Sequence, residues 1–211
     1  MNITLDKISR RYNSEWIFRN VSHSFTSGNA YAILGSNGSG KSTLLQIISG
    51  HLHPSSGTIS YKIDGTELPV EDIYRYVSIS GPYMELIEEF TLEEMVAFHL
   101  KFRKFRNNTD AKQFIEITRL GRSRNKALKY YSSGMKQRVK LALAILSDVP
   151  LVLLDEPASN LDAAGIDWYR ELVAGHSANR IFIICSNSQP AEHDFCRESI
   201  LINDYKGKQW G

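Results

Sequence analysis

The chain has 211 residues, 42% of them hydrophobic and 23% charged, which is enough for one α/β core and typical of an ordered globular protein. A net charge of +2 argues against a protein built mainly to hold nucleic acid, and the two cysteines, Cys185 and Cys196, fit no metal spacing or secreted disulfide framework. Charged side chains within positions 1–20 argue against a signal peptide, and no window offers the roughly 18 uncharged apolar residues that a membrane span needs.

The N-terminal part of the chain predicts strands on both sides of a glycine-rich loop. Alternation over residues 2–8 predicts an edge strand, and residues 16–25 predict a further strand pair. The apolar residues 30–34 predict a buried strand, and the apolar run that ends at Gly50 predicts a helix. Residues 58–63 alternate again, which predicts a strand that turns directly afterwards.

The loop between the buried strand and this helix matches the phosphate-loop pattern over residues 35–42 without a mismatch. Its glycines allow a tight turn whose N–H groups point at a triphosphate, and the helix N-terminus adds its positive dipole end. Lys41 supplies the charge for the β- and γ-phosphates, and the Ser42 hydroxyl is a predicted Mg²⁺ ligand. A glycine-rich turn that matches by chance is the alternative, which the flanking strand and helix disfavour. The predicted nucleotide contacts are Gly35, Ser36, Asn37, Gly38, Ser39, Gly40, Lys41, Ser42 and Thr43.

Residues 80–130 predict helices. Thr91 and Glu94 form a predicted capping box, and a second helix is predicted over residues 111–120. The aromatic residues at 98, 102 and 105 alternate with basic ones, which indicates a face that is half core and half solvated charge rather than a nucleic-acid or lipid patch. The basic segment that follows is predicted to be a solvated loop.

The C-terminal part alternates strand and helix again. Strands are predicted over 151–154 and 180–185 with a helix over 163–174 between them, and the stretch from Ser199 to Gly211 is predicted to close a small hairpin. This alternation around a phosphate loop predicts a mostly parallel sheet flanked by helices.

Two further stretches carry chemistry. The strand that ends at Asp155 lifts this carboxylate to the sheet edge, where it can hold Mg²⁺ through water, and Glu156 is placed to act as a general base on the attacking water. Ser132 is a natural N-cap, so the helix after it offers a second anion site. Two anion sites for one triphosphate indicate that the second serves a nucleotide held by another subunit.

The order and spacing of these motifs resemble those of the ATP-binding-cassette (ABC) ATPases over almost the whole chain. Residues 35–42 resemble their Walker A motif, 131–135 their LSGGQ signature, 151–156 their Walker B strand with its catalytic glutamate, and 159–162 their D-loop. Tyr12, which alone favours a plain surface tyrosine, falls where the family has its adenine-stacking aromatic.

The resemblance implies a P-loop NTPase fold in one ABC domain, with residues 1–79 and 146–211 as the α/β core, an N-terminal antiparallel β subdomain, and a helical subdomain over 80–145. It also implies a head-to-tail dimer, with a homodimer expected, in which two ATPs lie between each phosphate loop and the partner's signature and D-loop residues. The signature and D-loop residues so implied are Ser132, Gly134, Met135 and Asp162. The helical subdomain would dock onto a separate integral membrane permease, which would hold the subunit at the cytoplasmic face of the cell membrane.

Four departures from the family pattern bear on activity. No glutamine occurs near Ile79 and Ser80, where the Q-loop glutamine is expected, and the switch histidine is replaced by Asn187. The signature has Ser133 for its first glycine and Met135 for its glutamine. Asn187 can donate a hydrogen bond to a γ-phosphate but cannot carry charge, so we expect slower hydrolysis with ATP binding retained.

Three functions follow, in decreasing order of preference. The first is the ATP-hydrolysing subunit of an ABC transporter, and the short chain resembles the small ATPases of bacterial export systems. The second is a clamp or regulatory ABC subunit that hydrolyses ATP weakly or not at all. The third, an ABC protein acting on nucleic acid, is disfavoured because the chain has one cassette and no room for a long coiled coil.

Overall fold

The computed structural model describes residues 1–187 and 189–206, and it contains two sheets and six α-helices in that part of the chain. One sheet is antiparallel in the order β2-β1-β4-β5, and the other is parallel in the order β6-β7-β8-β3-β9. The strands are β1 Asn2–Tyr12, β2 Glu15–Thr26, β3 Asn29–Leu34, β4 Ser56–Ile63, β5 Thr66–Leu68, β6 Val77–Ser80, β7 Leu151–Asp155, β8 Ile181–Ser186 and β9 Glu198–Leu201. The helices are α1 Lys41–Ile48, α2 Leu92–Leu100, α3 Ala111–Thr118, α4 Ser133–Leu146, α5 Ala163–His176 and α6 Pro190–His193.

The central strands of the parallel sheet are covered on both faces, which explains their continuous apolar sequences. Along β8, Phe182 and Ile184 pack toward α4 and α5, whereas Ile181, Ile183 and Cys185 pack toward α1 and the antiparallel sheet. This alternation follows from the two-residue period of a strand. All five residues are fully buried, so Cys185 is a core thiol.

Helix α2 begins as its sequence predicts. The Thr91 hydroxyl accepts a hydrogen bond from the Glu94 amide at 3.2 Å, and the Thr91 amide donates to the Glu94 carboxylate at 2.7 Å, which confirms the capping box. The aromatic residues after α2 divide as expected, since Phe105 is buried while Phe102 is exposed.

Three predictions about strands are wrong. Residues 2–8 are not an edge strand, because β1 pairs with β2 on one side and β4 on the other. Residues 16–25 form one continuous strand, not a strand pair. The C-terminal segment does not close a hairpin either, because β9 pairs in parallel with β3 and is followed by a 3₁₀ turn over Ile202–Tyr205. Burial of Ile200 and Ile202 against the sheet supplies the physical reason for this course, and residues 207–211 lie outside the described part.

The predicted division into a core and a helical subdomain stays a prediction. Helix α4 packs against α2 and α3 as well as against α5 and β7, so it connects the two regions. In the described part of the chain, no helix is both long enough and apolar enough to cross a membrane.

Candidate functional site

The phosphate loop connects β3 to α1 at the carboxyl edge of the parallel sheet, where ligands of such sheets bind. Gly38 and Gly40 have φ angles of 72° and 105°, a region that residues with a side chain rarely adopt. Gly40 also packs closely against β2, since a Cβ atom there would lie 2.6 Å from Ile17 Cγ2. As N-cap of α1 it offers no side-chain cap, so the first amides of the helix remain available to an anion.

Lys41 lies at the centre of this loop. Its ammonium donates hydrogen bonds to the carbonyl oxygens of Gly35 at 2.9 Å and Ser36 at 3.1 Å, and only 4% of the residue is exposed. A cation that is nearly buried and bonded only to neutral carbonyls provides a strong site for phosphate oxygens. The buried Ser39 hydroxyl beside it has no hydrogen-bond partner in the described part of the chain.

Two carboxylates meet this loop from β7. Asp155 ends the strand, and its buried Oδ1 atom has no hydrogen-bond partner within residues 1–187 and 189–206. Burial raises the pKa of Asp155, and the neighbouring Ser42 hydroxyl and Lys41 ammonium act in the opposite direction. An unpaired carboxylate oxygen next to a hydroxyl fits a Mg²⁺ ion, which prefers hard oxygen ligands.

Glu156 follows Asp155 with a φ of 48°, and its amide donates to the Cys185 carbonyl at 2.9 Å. It lines a pocket of about 440 Å³ together with the phosphate loop. The pocket is lined by Ile17, Asn37, Gly38, Ser39, Gly40, Lys41, Ser42, Thr43, Pro82, Tyr83, Asp155 and Glu156.

Asn187, at the end of β8, also reaches the phosphate loop. Its Nδ2 atom lies 3.4 Å from the Asn37 side-chain oxygen, although the two residues are 150 positions apart in sequence. The fold therefore brings the residue at the switch-histidine position next to the loop that would hold the phosphates.

The signature residues do not line this pocket. The Ser132 hydroxyl caps α4 by accepting from the Met135 amide at 3.3 Å, and a Cβ atom on Gly134 would lie 2.8 Å from the Asn160 carbonyl. Asp162 caps α5 by accepting from the Gly165 amide at 2.8 Å. The signature therefore packs against the D-loop of its own chain, outside the phosphate pocket.

Tyr12 does not line the pocket either. It lies at the tip of the β1–β2 hairpin, is 46% exposed, and has the Arg10 guanidinium 4.6 Å above its ring. The β2 residue that does reach the pocket is Ile17.

Sequence reasoning missed Pro82 and Tyr83, which line the pocket. Ile79 and Ser80 belong to β6, and the turn after the strand lines the pocket instead. Because Ser80 pairs with Leu154 in parallel register, the residues after β6 must lie beside those after β7. That rule could have located Pro82 and Tyr83, whereas nothing in the sequence indicates Ile17.

Comparison with known families decides the identity of the chain. The model of the ABC transporter family matches residues 18–159. The chain belongs to this family. It is thus an ATPase subunit of an ABC transporter, and ATP is its nucleotide, which confirms the predicted family, fold class and function.

Similarity to individual ABC proteins extends over most of the chain. It is 31% identical to the "Probable sulfate/thiosulfate import ATP-binding protein CysA" of Chlorella vulgaris, over 100% of this chain and 91% of that protein. It is 29% identical to the uncharacterized ABC transporter ATP-binding protein YcbN of Bacillus subtilis, over 78% of this chain but only 54% of the length of YcbN. A dimeric post-hydrolysis structure of the ATP-binding cassette MJ0796 with ADP and Pi has the same fold, with a TM-score of 0.78, 22% identity and 95% of each chain covered.

Proposed function

We propose that this ABC subunit holds the ATP phosphates in the pocket around Lys41 and hydrolyses ATP with Glu156 as the general base, which drives transport through separate membrane subunits. One observation carries the proposal. A nearly buried lysine, the free amides of a helix N-terminus and two carboxylates converge on one pocket of about 440 Å³.

Each residue of the pocket has a task in this reaction. Lys41 transfers its hydrogen bonds from loop carbonyls to phosphate oxygens, and Ser42 and Asp155 would hold Mg²⁺. Bound Mg²⁺ supplies positive charge that stabilises the β- and γ-phosphates. Glu156 orients the attacking water and accepts its proton. Asn187 donates a hydrogen bond to the γ-phosphate from its place beside Asn37.

A second ABC subunit completes the site in this proposal. The capped start of α4 offers free amides, yet Ser132, Gly134 and Met135 do not line the pocket of their own chain. A homodimer lets the signature of one copy, together with Asp162, contact the ATP held by the other. Tyr12, half exposed at its hairpin tip, would stack on the adenine.

The remaining partner is an integral membrane permease. The family transports through such subunits, and α2 and α3 would supply the surface that contacts it. In this proposal the subunit works in the cytoplasm, on the inner face of the cell membrane. The likeness to the small ATPases of bacterial export systems stays a prediction.

Two observations favour the second candidate, a subunit that binds ATP but hydrolyses it weakly or not at all. Asn187 cannot carry charge, and Pro82 and Tyr83 provide no amide side chain after β6. In this case ATP would bind and close the dimer, but turnover would not depend on Glu156.

Steady-state ATP turnover with Mg²⁺, measured on the subunit with its membrane partner, separates these functions. We expect Glu156→Gln to lower kcat by about 100-fold or more while ATP still binds, because general-base catalysis contributes roughly 10²–10⁴-fold. Glu67→Gln, on the exposed strand β5, is the matched control and should keep full activity. Equal turnover of the unaltered chain and Glu156→Gln would reject Glu156 as the general base and favour the second candidate.

A further inference from the structure

The peptide bond between Pro157 and Ala158, the second peptide bond after Glu156, is held by a buried side chain at each of its polar atoms. Gln137 Nε2 donates a hydrogen bond to the Pro157 carbonyl at 3.0 Å. The Ala158 amide donates to Glu192 Oε1 at 2.9 Å. Gln137 is 3% exposed and Glu192 is 1% exposed, so water does not compete for either bond.

The two side chains come from different parts of the fold. Gln137 lies in α4, shortly after the signature residues, and Glu192 lies in α6, five positions after Asn187. The Tyr169 hydroxyl of α5 donates to the Glu192 carbonyl at 2.9 Å and anchors this short helix. One peptide thus connects the signature helix, the turn after β7 that contains Glu156 and the segment that carries Asn187.

Glu192 is not placed well for stability. Its Oε2 atom is buried without a hydrogen-bond partner among the described residues, and the nearby Arg170 guanidinium pairs with Asp194 instead. Burial raises the pKa of Glu192, while the Ser186 hydroxyl and the Ala158 amide partly offset this. A partly unsatisfied buried carboxyl group destabilises a fold, which favours a positioning task over a stabilising one.

The backbone of Glu156 has an unusual conformation that must be held by its neighbours. Its φ of 48° is in the left-handed region, which a glutamate adopts only when its surroundings impose it. On its N-terminal side, the Glu156 amide is bound to the Cys185 carbonyl. On its C-terminal side, Pro157 separates Glu156 from the Pro157–Ala158 peptide that Gln137 and Glu192 hold, and the proline ring restricts the backbone between them.

We propose that Gln137 and Glu192 are positioning residues that clamp the Pro157–Ala158 peptide and thereby hold Glu156 in the strained conformation that hydrolysis requires. The clamp also connects movement of the signature helix to Glu156. This positioning role of Gln137 and Glu192 rests on the proposed role of Glu156 as the general base. Neither residue touches the pocket, so both act through Glu156 and not on the nucleotide.

The test compares Gln137→Leu and Glu192→Leu with the unaltered chain by kcat, KM for ATP and thermal unfolding. We expect kcat to fall about 10- to 100-fold, since small misplacement of a catalytic group has effects of that size. KM should stay within about threefold, because the phosphate contacts are intact. Glu192→Gln keeps an oxygen that accepts from the Ala158 amide, so most of the activity should be retained.

Thr118→Val is the matched control, because it removes a buried hydrogen bond within α3, from the Thr118 hydroxyl to the Ile115 carbonyl, away from the pocket. It should lower stability without lowering kcat. The proposal is overturned if both leucine variants fold and keep the kcat of the unaltered chain, or if Glu192→Gln loses as much activity as Glu192→Leu.

Two further measurements cover the cases in which a variant does not fold or the chain has no turnover. Gln137→Glu keeps the size of the side chain but places an oxygen against the Pro157 carbonyl. A low kcat in this variant supports the positioning role of Gln137, and an unchanged kcat opposes it. Hydrogen exchange of the Ala158 amide does not require turnover. Slow exchange of this amide that becomes fast in Glu192→Leu supports the role of Glu192 in holding the Pro157–Ala158 peptide. This result would stand even if Glu156→Gln showed that the proposed function is wrong. Equal exchange in both chains opposes the role of Glu192.

Discussion

Replacement of Gly40 by alanine should damage the phosphate loop in two ways that the structure separates. The first is backbone strain, because Gly40 has a φ of 105°, far from the range of an alanine. Holding a residue with a side chain in such a conformation costs about 1–3 kcal/mol. The second is a steric clash, because the new methyl group would lie 2.6 Å from Ile17 Cγ2 and 3.0 Å from Phe18 Cδ1.

The size of the clash follows from its surroundings. Phe18 is fully buried in the core between the two sheets, so the loop has to move, and overpacking of this kind costs about 1–3 kcal/mol. Together with the strain, we expect Gly40→Ala to lower the free energy of unfolding by about 2–6 kcal/mol. A displaced loop also misdirects its amides, so affinity for a non-hydrolysable ATP analogue should fall at least about tenfold, or about 1.4 kcal/mol.

Gly28→Ala is the matched control for this prediction. Gly28 has a φ of 87° but nothing within 4 Å of an added Cβ atom, and it lies before β3, outside the phosphate pocket. Its replacement should show the strain alone and leave analogue binding unchanged. The assays are equilibrium urea unfolding and titration calorimetry with the analogue. Equal loss of stability in both variants, with full binding by Gly40→Ala, would refute the reasoning.

Three further predictions concern residues outside the loop. Arg180 is fully buried and donates hydrogen bonds to four backbone carbonyl oxygens. Arg180→Met should therefore lower the free energy of unfolding, measured in urea, by about 3–5 kcal/mol. Arg119→Met, which removes an exposed ion pair, is the control and should lower it by less than about 1 kcal/mol. Asn187→His should raise kcat for ATP about tenfold, because a charged donor binds phosphate more strongly, and an unchanged kcat would show that the asparagine is not limiting. Burial and the positive charge of nearby Arg103 lower the pKa of His99 from 6.5 to about 4. As the pH falls through this range, the His99 ring therefore takes up a proton in the unfolded chain before it does so in the folded one. Stability is lost over that range, and the loss between pH 7 and pH 5 should be about 1–2 kcal/mol smaller in His99→Gln, measured by unfolding at both pH values.

Local patterns in the sequence were sufficient for several elements. The buried strands β7 and β8 are continuous apolar runs, the phosphate loop is a contiguous motif, and the caps at Thr91 and Ser132 depend on residues three positions away. Each of these features depends on neighbours in sequence, so reading the chain in order detects them. They determine the family, the P-loop fold and the nucleotide.

Only the tertiary structure decided which distant segments meet. It placed β1 inside its sheet and β9 parallel to β3, and it brought Tyr83 to the pocket. It also joined Gln137 and Glu192 at one peptide, although these residues are far from it in sequence. Strand order and the packing of helices on a sheet depend on burial of the whole apolar surface at once, and no short stretch of sequence contains that information.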